Sequence, residues 1–325
     1  MRRQFSHSDL RRVLSYNRPW GAALGVLAIF LALHSAGCDG QANSDGSQAA
    51  VSSDDLAAAR KNVATRLRVR GAAPQPFENV TPPPGVREVQ YSSADMKLKG
   101  WLSVEPADGR RRPAVVYLHG GFSFGAEDWQ DAAPFADAGF VLFMPMLRGE
   151  NGNPGTFESF YGEVDDAVAA GRYVAALPQV DGDHVFVAGH SVGGVLTTLV
   201  AMVPSPYQSA AALSGYVDME AWAAGSPQEY VPYDRGNREE VRLRNPLAFA
   251  ASLRCPLTLY VEPKMRDVNV LLEARARQAG KDCHVVVVPG DHLTMVAPAV
   301  QQAIEQFRAS AAKSPATRRA AAAAP

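Results

Sequence analysis

Residues Asp181 to Thr197, DGDHVFVAGHSVGGVLT, decide how the rest of the chain is read. The run His184 to Ala188 is short, apolar and rich in β-branched residues, which suits a strand buried on both faces of a parallel sheet. From Val192 to Met202 the composition turns helical. Between the two stands Gly189-His190-Ser191-Val192-Gly193, a G-x-S-x-G pattern. A strand that turns at once into a helix holds the central serine in strained backbone geometry, and the glycines remove side chains that would clash in the bend. Ser191 is then exposed at the carboxyl edge of the sheet, where free N–H groups at the helix start stabilise developing negative charge.

The chain has 325 residues, 47% of them hydrophobic, enough to bury a large core and long enough for one large α/β domain or two small ones. Its beginning differs from its middle. Residues 1–19 carry five arginines against one acid, Asp9, and the apolar run Trp20 to Leu33 that follows has the length of a signal-peptide core. His34-Ser35-Ala36-Gly37-Cys38 resembles the lipobox of bacterial lipoproteins, in which the cysteine becomes the lipidated first residue. Ser35 departs from the branched aliphatic residue usual at its position. This resemblance implies a signal peptide over 1–37 and a lipid anchor at Cys38, placing the protein in the bacterial cell envelope, facing the periplasm. Without residues 1–37, 27 basic and 32 acidic residues leave a net charge of about −5. No basic stripe for nucleic acid remains.

Residues 39–53 are small and polar and read as a tether. Ser53-Asp54-Asp55 resembles a helix cap, predicting a helix to about Arg68, so that residues 38–75 form tether plus N-terminal helix. Pro74, Pro76 and Pro82 to Pro84 open the main domain, 76–312. Two alternating runs, Arg87 to Ser92 and Lys97 to Val104, predict an antiparallel hairpin. Apolar strands then alternate with helices: strands at 114–118, 140–145, 184–188, 210–214, 256–261 and 283–289, and helices near 129–138, 163–177, 192–202, 268–279 and 295–312. The fold class is α/β, a mostly parallel sheet of about eight strands with helices on both faces. Tyr216 to Arg254 is too long for a simple connection and is expected to cap the serine. Residues 313–325 are low in complexity and read as a disordered tail.

A serine hydroxyl needs a base, usually a histidine held by a carboxylate. Of the seven histidines, His7 and His34 belong to the export segment. His184 and His284 begin their strands, at the wrong end of the sheet. His190 is beside the nucleophile and points away from it, and His119 ends the strand before a glycine loop. His292, in Pro289-Gly290-Asp291-His292, alone follows the end of a late strand, where catalytic groups gather. Its carboxylate is expected in Val261-Glu262-Pro263-Lys264-Met265-Arg266-Asp267. Asp267 is preferred because it has room to curl back, and Glu262, at the strand end, is the alternative. Asp291 is too near His292 in sequence to orient its ring. The oxyanion donors are expected to be the N–H of Val192 and that of Gly121 or Phe122, in the His119-Gly120-Gly121-Phe122 loop.

From about residue 86 to 308 the chain resembles the α/β-hydrolase superfamily, in its dienelactone-hydrolase and prolyl-oligopeptidase-like branch. The resemblance rests on YLHGG (117–121), LRGENGNPG (147–155), GEVDDAVAAGRYV (162–174), VDGDHVFVAGHSVGG (180–194) and GDH (290–292). It implies a Ser191–Asp267–His292 triad working without metal or cofactor. The chain departs from the pattern in two places: residues before 86 do not read as a β-propeller, and VEPKMRD lacks the glycine expected just past the strand.

The expected activity is serine hydrolysis of an acyl bond through an acyl-enzyme, with a small carboxylic ester as first substrate and a short peptide or amide as second. The rival is a catalytically silent envelope binding protein of the same fold. Cys255 and Cys283 open neighbouring strands, whose Cα atoms approach to about 4.8 Å, so a disulfide is predicted between them.

Overall fold

Alternating apolar side chains along the central strands divide the core into two layers. The computed structural model describes residues 55–104, 106 and 108–312. The predicted signal peptide, Cys38, the whole tether and the tail from 313 lie outside the described residues. The chain forms β1 (Val86–Ser93), β2 (Met96–Ser103), β3 (Arg112–Leu118), β4 (Val141–Pro145), β5 (Val180–His190), β6 (Ala210–Leu213), β7 (Leu257–Val261) and β8 (Cys283–Val287). They make one sheet of order β1-β2-β4-β3-β5-β6-β7-β8, with β1–β2 and β2–β4 antiparallel and every other pair parallel.

On one face Ala114, Val116, Leu118, Val185 and Val187 pack with residues of α3 (Gly162–Ala175) and α4 (Val192–Val200). On the other, Val115, Tyr117, Phe186 and Ala188 pack against α2 (Ala126–Asp137) and α8 (Val296–Ala312). Period-two alternation puts neighbouring residues into opposite layers, which is why strands buried on both sides are apolar throughout. Phe186 stacks on Phe307 of α8, with centroids 4.6 Å apart. Truncating such a buried ring costs about 3–5 kcal/mol.

Three expectations are corrected. The N-terminal helix, α1 (Leu56–Asn62), stops six residues short of Arg68. Past it, Thr65 Oγ1 and the Arg66 N–H both bind the Glu240 carboxylate, and Leu67 bridges to Tyr233. These tertiary hydrogen bonds outcompete helix continuation. The serine strand extends further than His184–Ala188, because Arg112 of β3 also pairs with Val180 across an irregularity. Finally, Cys255 and Cys283 are both free thiols. Cys283 sits opposite Leu257, so Cys255 lies two positions out of register, before its strand begins. Burial pushes each thiol up to about 12.

The segment after β6 is a small insertion, containing α5 (Met219–Gly225) and α6 (Arg238–Arg242), with its own apolar cluster of Ala223, Val231, Tyr233 and Val241. The two remaining elements flanking the last strands are α7 (Arg266–Gln278) and the loop 288–295 that leads into α8.

Candidate active site

Ser191 joins β5 to α4 with φ 56° and ψ −113°, a left-handed conformation that non-glycine residues seldom adopt. Its neighbours explain how the bend closes. A Cβ on Gly193 would collide with the Leu118 carbonyl, and one on Gly189 would stand 2.5 Å from the Gly193 carbonyl. The Ser191 N–H donates to Leu213 O on the next strand at 2.9 Å, fixing the bend from the β6 side.

His292 arrives from 101 residues away, and its Nε2 stands 3.0 Å from Ser191 Oγ. Its loop is shaped by Gly290, at φ 124°, and by Asp291, whose Oδ1 accepts from the Leu293 and Thr294 N–H groups. Asp291 therefore caps the turn after the histidine. The His190 ring, 4.7 Å from the His292 ring, donates through Nε2–H to the His292 carbonyl at 2.9 Å. Burial, followed by the charge on His292, pushes His190 down to about 3, so it stays neutral.

The carboxylate nearest His292 is that of Glu262, not Asp267. Pro263–Met265 forms a single 3-10 turn directly after β7, and α7 begins at once with Arg266. No loop remains in which Asp267 could curl back. Its side chain is 93% exposed and pairs with Arg266 at 3.1 Å, in the first turn of α7 where an acid favours the helix dipole. Glu262 is 1% exposed, with Oε1 3.7 Å from His292 Nδ1. Between them lies Ser214, whose Oγ is 2.6 Å from Glu262 Oε2 and 2.7 Å from His292 Nδ1. Burial alone would raise the Glu262 carboxyl, but His292 and the Ser214 hydroxyl outweigh it and hold it near 2. An ionised carboxylate only accepts, so the hydroxyl donates to Glu262 and the His292 Nδ1–H donates to the hydroxyl. Nε2 is then left bare to accept from Ser191.

The loop after β3 is anchored on three sides. Asp128, at the start of α2, accepts from the Gly120 and Gly125 N–H groups. His119 Nε2 meets Glu150 at 3.0 Å, both side chains being buried. Burial opposes charge on His119, but the Glu150 carboxylate prevails and pushes it up to about 9. Asn151 exchanges two hydrogen bonds with the Phe124 backbone. The Phe122 N–H, one of the expected oxyanion donors, donates to the Gln75 side-chain oxygen at 2.9 Å. Gln75 belongs to an irregular segment that meets the loop, and a cavity of about 360 Å³ lies between this segment and the turn at Gly149–Asn151. The Phe122 ring stacks on Tyr230 and stands 6.4 Å from Trp222, so the insertion reaches this loop.

Two quoted motifs meet each other. Asp166 of GEVDD accepts from the Arg148 backbone N–H and from its guanidinium at 2.8 Å, with Ser93 completing the buried cluster. Sequence reading missed Ser214 and Gln75, and it gave His190 no role. Ser214 did carry one signal: it directly follows β6, at the sheet edge where functional groups collect.

The sheet order, the elbow after β5 and the histidine loop after β8 define an α/β-hydrolase fold. Residues 127–277 match the model of the prolyl oligopeptidase family. Over 213 residues the chain is 30% identical to the uncharacterized peptidase YtmA of Bacillus subtilis, covering 59% of this chain and 79% of that protein. The chain belongs to the prolyl oligopeptidase family, a family of serine hydrolases. Among solved structures, an acylaminoacyl peptidase of Pyrococcus horikoshii superposes with a TM-score of 0.54 at 18% identity, over 68% of this chain and 40% of that one. An esterase of Pyrobaculum calidifontis superposes with a TM-score of 0.57 at 21% identity, over 71% of this chain and 88% of that one. The chain thus spans about two fifths of the peptidase and most of the esterase. At these identities the likeness is one of fold.

Proposed function

We propose that the protein hydrolyses acyl bonds, with Ser191 as nucleophile, His292 as base and Glu262 as the carboxylate behind it. The observation that carries this reading is the 3.0 Å approach of His292 Nε2 to a serine oxygen held on a strained elbow. Ser191 Oγ attacks the acyl carbon and its proton passes to Nε2. The oxyanion is met by the Val192 N–H and by an N–H of Gly121 or Phe122. Collapse expels the alcohol or amine, which takes the proton from the imidazolium. Water then repeats the sequence on the acyl-enzyme, releasing the acid and restoring Ser191.

A small carboxylic ester is the first substrate class, in keeping with the esterase of similar fold, most of whose length this chain spans. Short peptides or amides are the second, favoured by the relative named a peptidase. The test is p-nitrophenyl acetate hydrolysis and fluorophosphonate labelling of wild type and Ser191→Ala, followed by an ester and peptide panel. Both signals are expected to vanish in the variant. Equal rates, or labelling elsewhere, would sink the proposal and favour a silent binding protein. The same proposal includes export and a lipid anchor at Cys38. Labelled palmitate should be incorporated into the wild type and not into Cys38→Ala, and an unlabelled wild type would refute the anchor.

A further inference from the structure

Glu262 is too far from His292 for a direct hydrogen bond, since Oε1 and Nδ1 are 3.7 Å apart. Every strong contact between them runs through one hydroxyl, that of Ser214, at 2.6 Å and 2.7 Å. We infer that Ser214 is the positioning residue of this site, which relays the hold of the Glu262 carboxylate to the His292 imidazole and fixes its tautomer. The inference rests on the hydrolase reading above.

The relay is built, not incidental. Ser214 is 3% exposed and stands at φ 50°, the same left-handed region as Ser191. A non-glycine residue is strained there, and such strain persists where the surroundings over-determine it. The surroundings do so: the Ser214 N–H donates to Tyr260 O on β7 at 2.7 Å. Next to it, a Cβ on Gly215 would stand 2.6 Å from the Gly194 carbonyl carbon, so α4 packs directly on this backbone. Residue 213 meanwhile holds the Ser191 N–H with its carbonyl. Two consecutive residues therefore set both partners of the proton transfer, Leu213 by backbone and Ser214 by side chain.

The residue type also fits. Alanine would leave the buried Glu262 Oε2 without the hydroxyl, Lys264 Nζ standing 3.7 Å from Oε1. An aspartate would set a second negative charge against Glu262. A hydroxyl alone can donate to the carboxylate while accepting from Nδ1–H.

The test uses Ser214→Gly, which removes the hydroxyl and relieves the positive φ, with melting temperature recorded beside the kinetics so that any loss from the unpaired Glu262 oxygen is read separately. The expected result is a kcat about 100-fold lower with KM changed less than threefold. In a cycle with Glu262→Gln, the double variant should be no slower than the worse single variant, since one relay is being cut twice. Proton NMR should show a far-downfield Nδ1–H resonance in wild type that is lost in Ser214→Gly. Ser214→Cys, of similar size and weaker hydrogen bonding, should fall between. A kcat within threefold of wild type, multiplying penalties in the cycle, or a persisting resonance would each overturn the relay. A wild type that neither hydrolyses nor labels, yet shows the resonance and its loss, would overturn the hydrolase reading and leave the relay standing.

Discussion

At the nucleophile elbow, five consecutive residues and their own backbone settle the geometry, whereas at the acid end of the same site three side chains converge from the ends of β6, β7 and β8. The elbow is local: Gly189 and Gly193 are required because carbonyl groups crowd where a Cβ would stand. The acid end is not: whether Glu262 or Asp267 meets His292 depends on where α7 begins, and nothing inside VEPKMRD states that. Backbone constraints write themselves into residue type, while side-chain convergence depends on helix starts elsewhere.

The comparison breaks first at Gly193. Gly193→Ala is expected to give protein that does not fold or is destabilised by more than about 4 kcal/mol, as expected when backbone must move inside a packed core. Thermal unfolding decides it, and a variant of near wild-type stability would show that the elbow has slack. The acid end answers to a paired experiment. Glu262→Gln should lower kcat by about a thousandfold, whereas Asp267→Asn, on an exposed side chain, should stay within twofold. The reverse ranking would restore the sequence-based choice of Asp267.

The choice between Glu262 and Asp267 is not written in residue type. The strands and their mostly parallel sheet, the elbow and the placing of His292 after a late strand are legible in the sequence, because periodicity and the strand-end rule act on residue type and chain order. Asp267 has the longer reach along the sequence, but Pro263–Met265 closes a single 3-10 turn and α7 begins at Arg266, so that reach has no loop to act through. The predicted disulfide failed by a smaller margin. Cys283 does open β8, but Cys255 stands two residues before β7, and the register sets Leu257 opposite Cys283. Register is fixed by pairing along the whole strand, and the position of a cysteine near its start does not report it.

Two buried histidines sharpen the contrast through pH. His190, beside the acid end, is pushed down to about 3, and the unfolded chain protonates near 6.5. Its contribution to stability is therefore present above pH 6.5 and lost as pH falls toward 3. His119, under the glycine loop, is pushed up to about 9 by Glu150. Its contribution is full below pH 6.5 and lost as pH rises through 9. Melting temperature against pH should fall on both sides, by a few kcal/mol equivalent at each limb. His190→Gln should flatten the acid limb and leave the alkaline one, and His119→Gln should do the opposite. Parallel shifts of both limbs in either variant would refute the assignment.

The smallest expected effect concerns the glycine loop, where a locally legible motif has an occupant from far upstream. YLHGG announces a donor loop, but the Gln75 oxygen that the Phe122 N–H meets comes from 47 residues earlier. A Cβ on Gly121 would also stand 2.7 Å from that oxygen, so the amide lies against both expected donors. An acyl oxygen that takes Phe122 N–H must displace Gln75 and forgo one neutral hydrogen bond, worth about 0.5–1.5 kcal/mol. Gln75→Ala should then raise kcat/KM for small esters about 2- to 10-fold, with no loss of melting temperature beyond about 1 kcal/mol equivalent. A rate unchanged by the substitution would assign the second oxyanion donor to Gly121 and make Gln75 a strut of the loop. A lower rate would mean that Gln75 holds the loop in its working shape, and that even the most legible part of the site depends on a distant side chain.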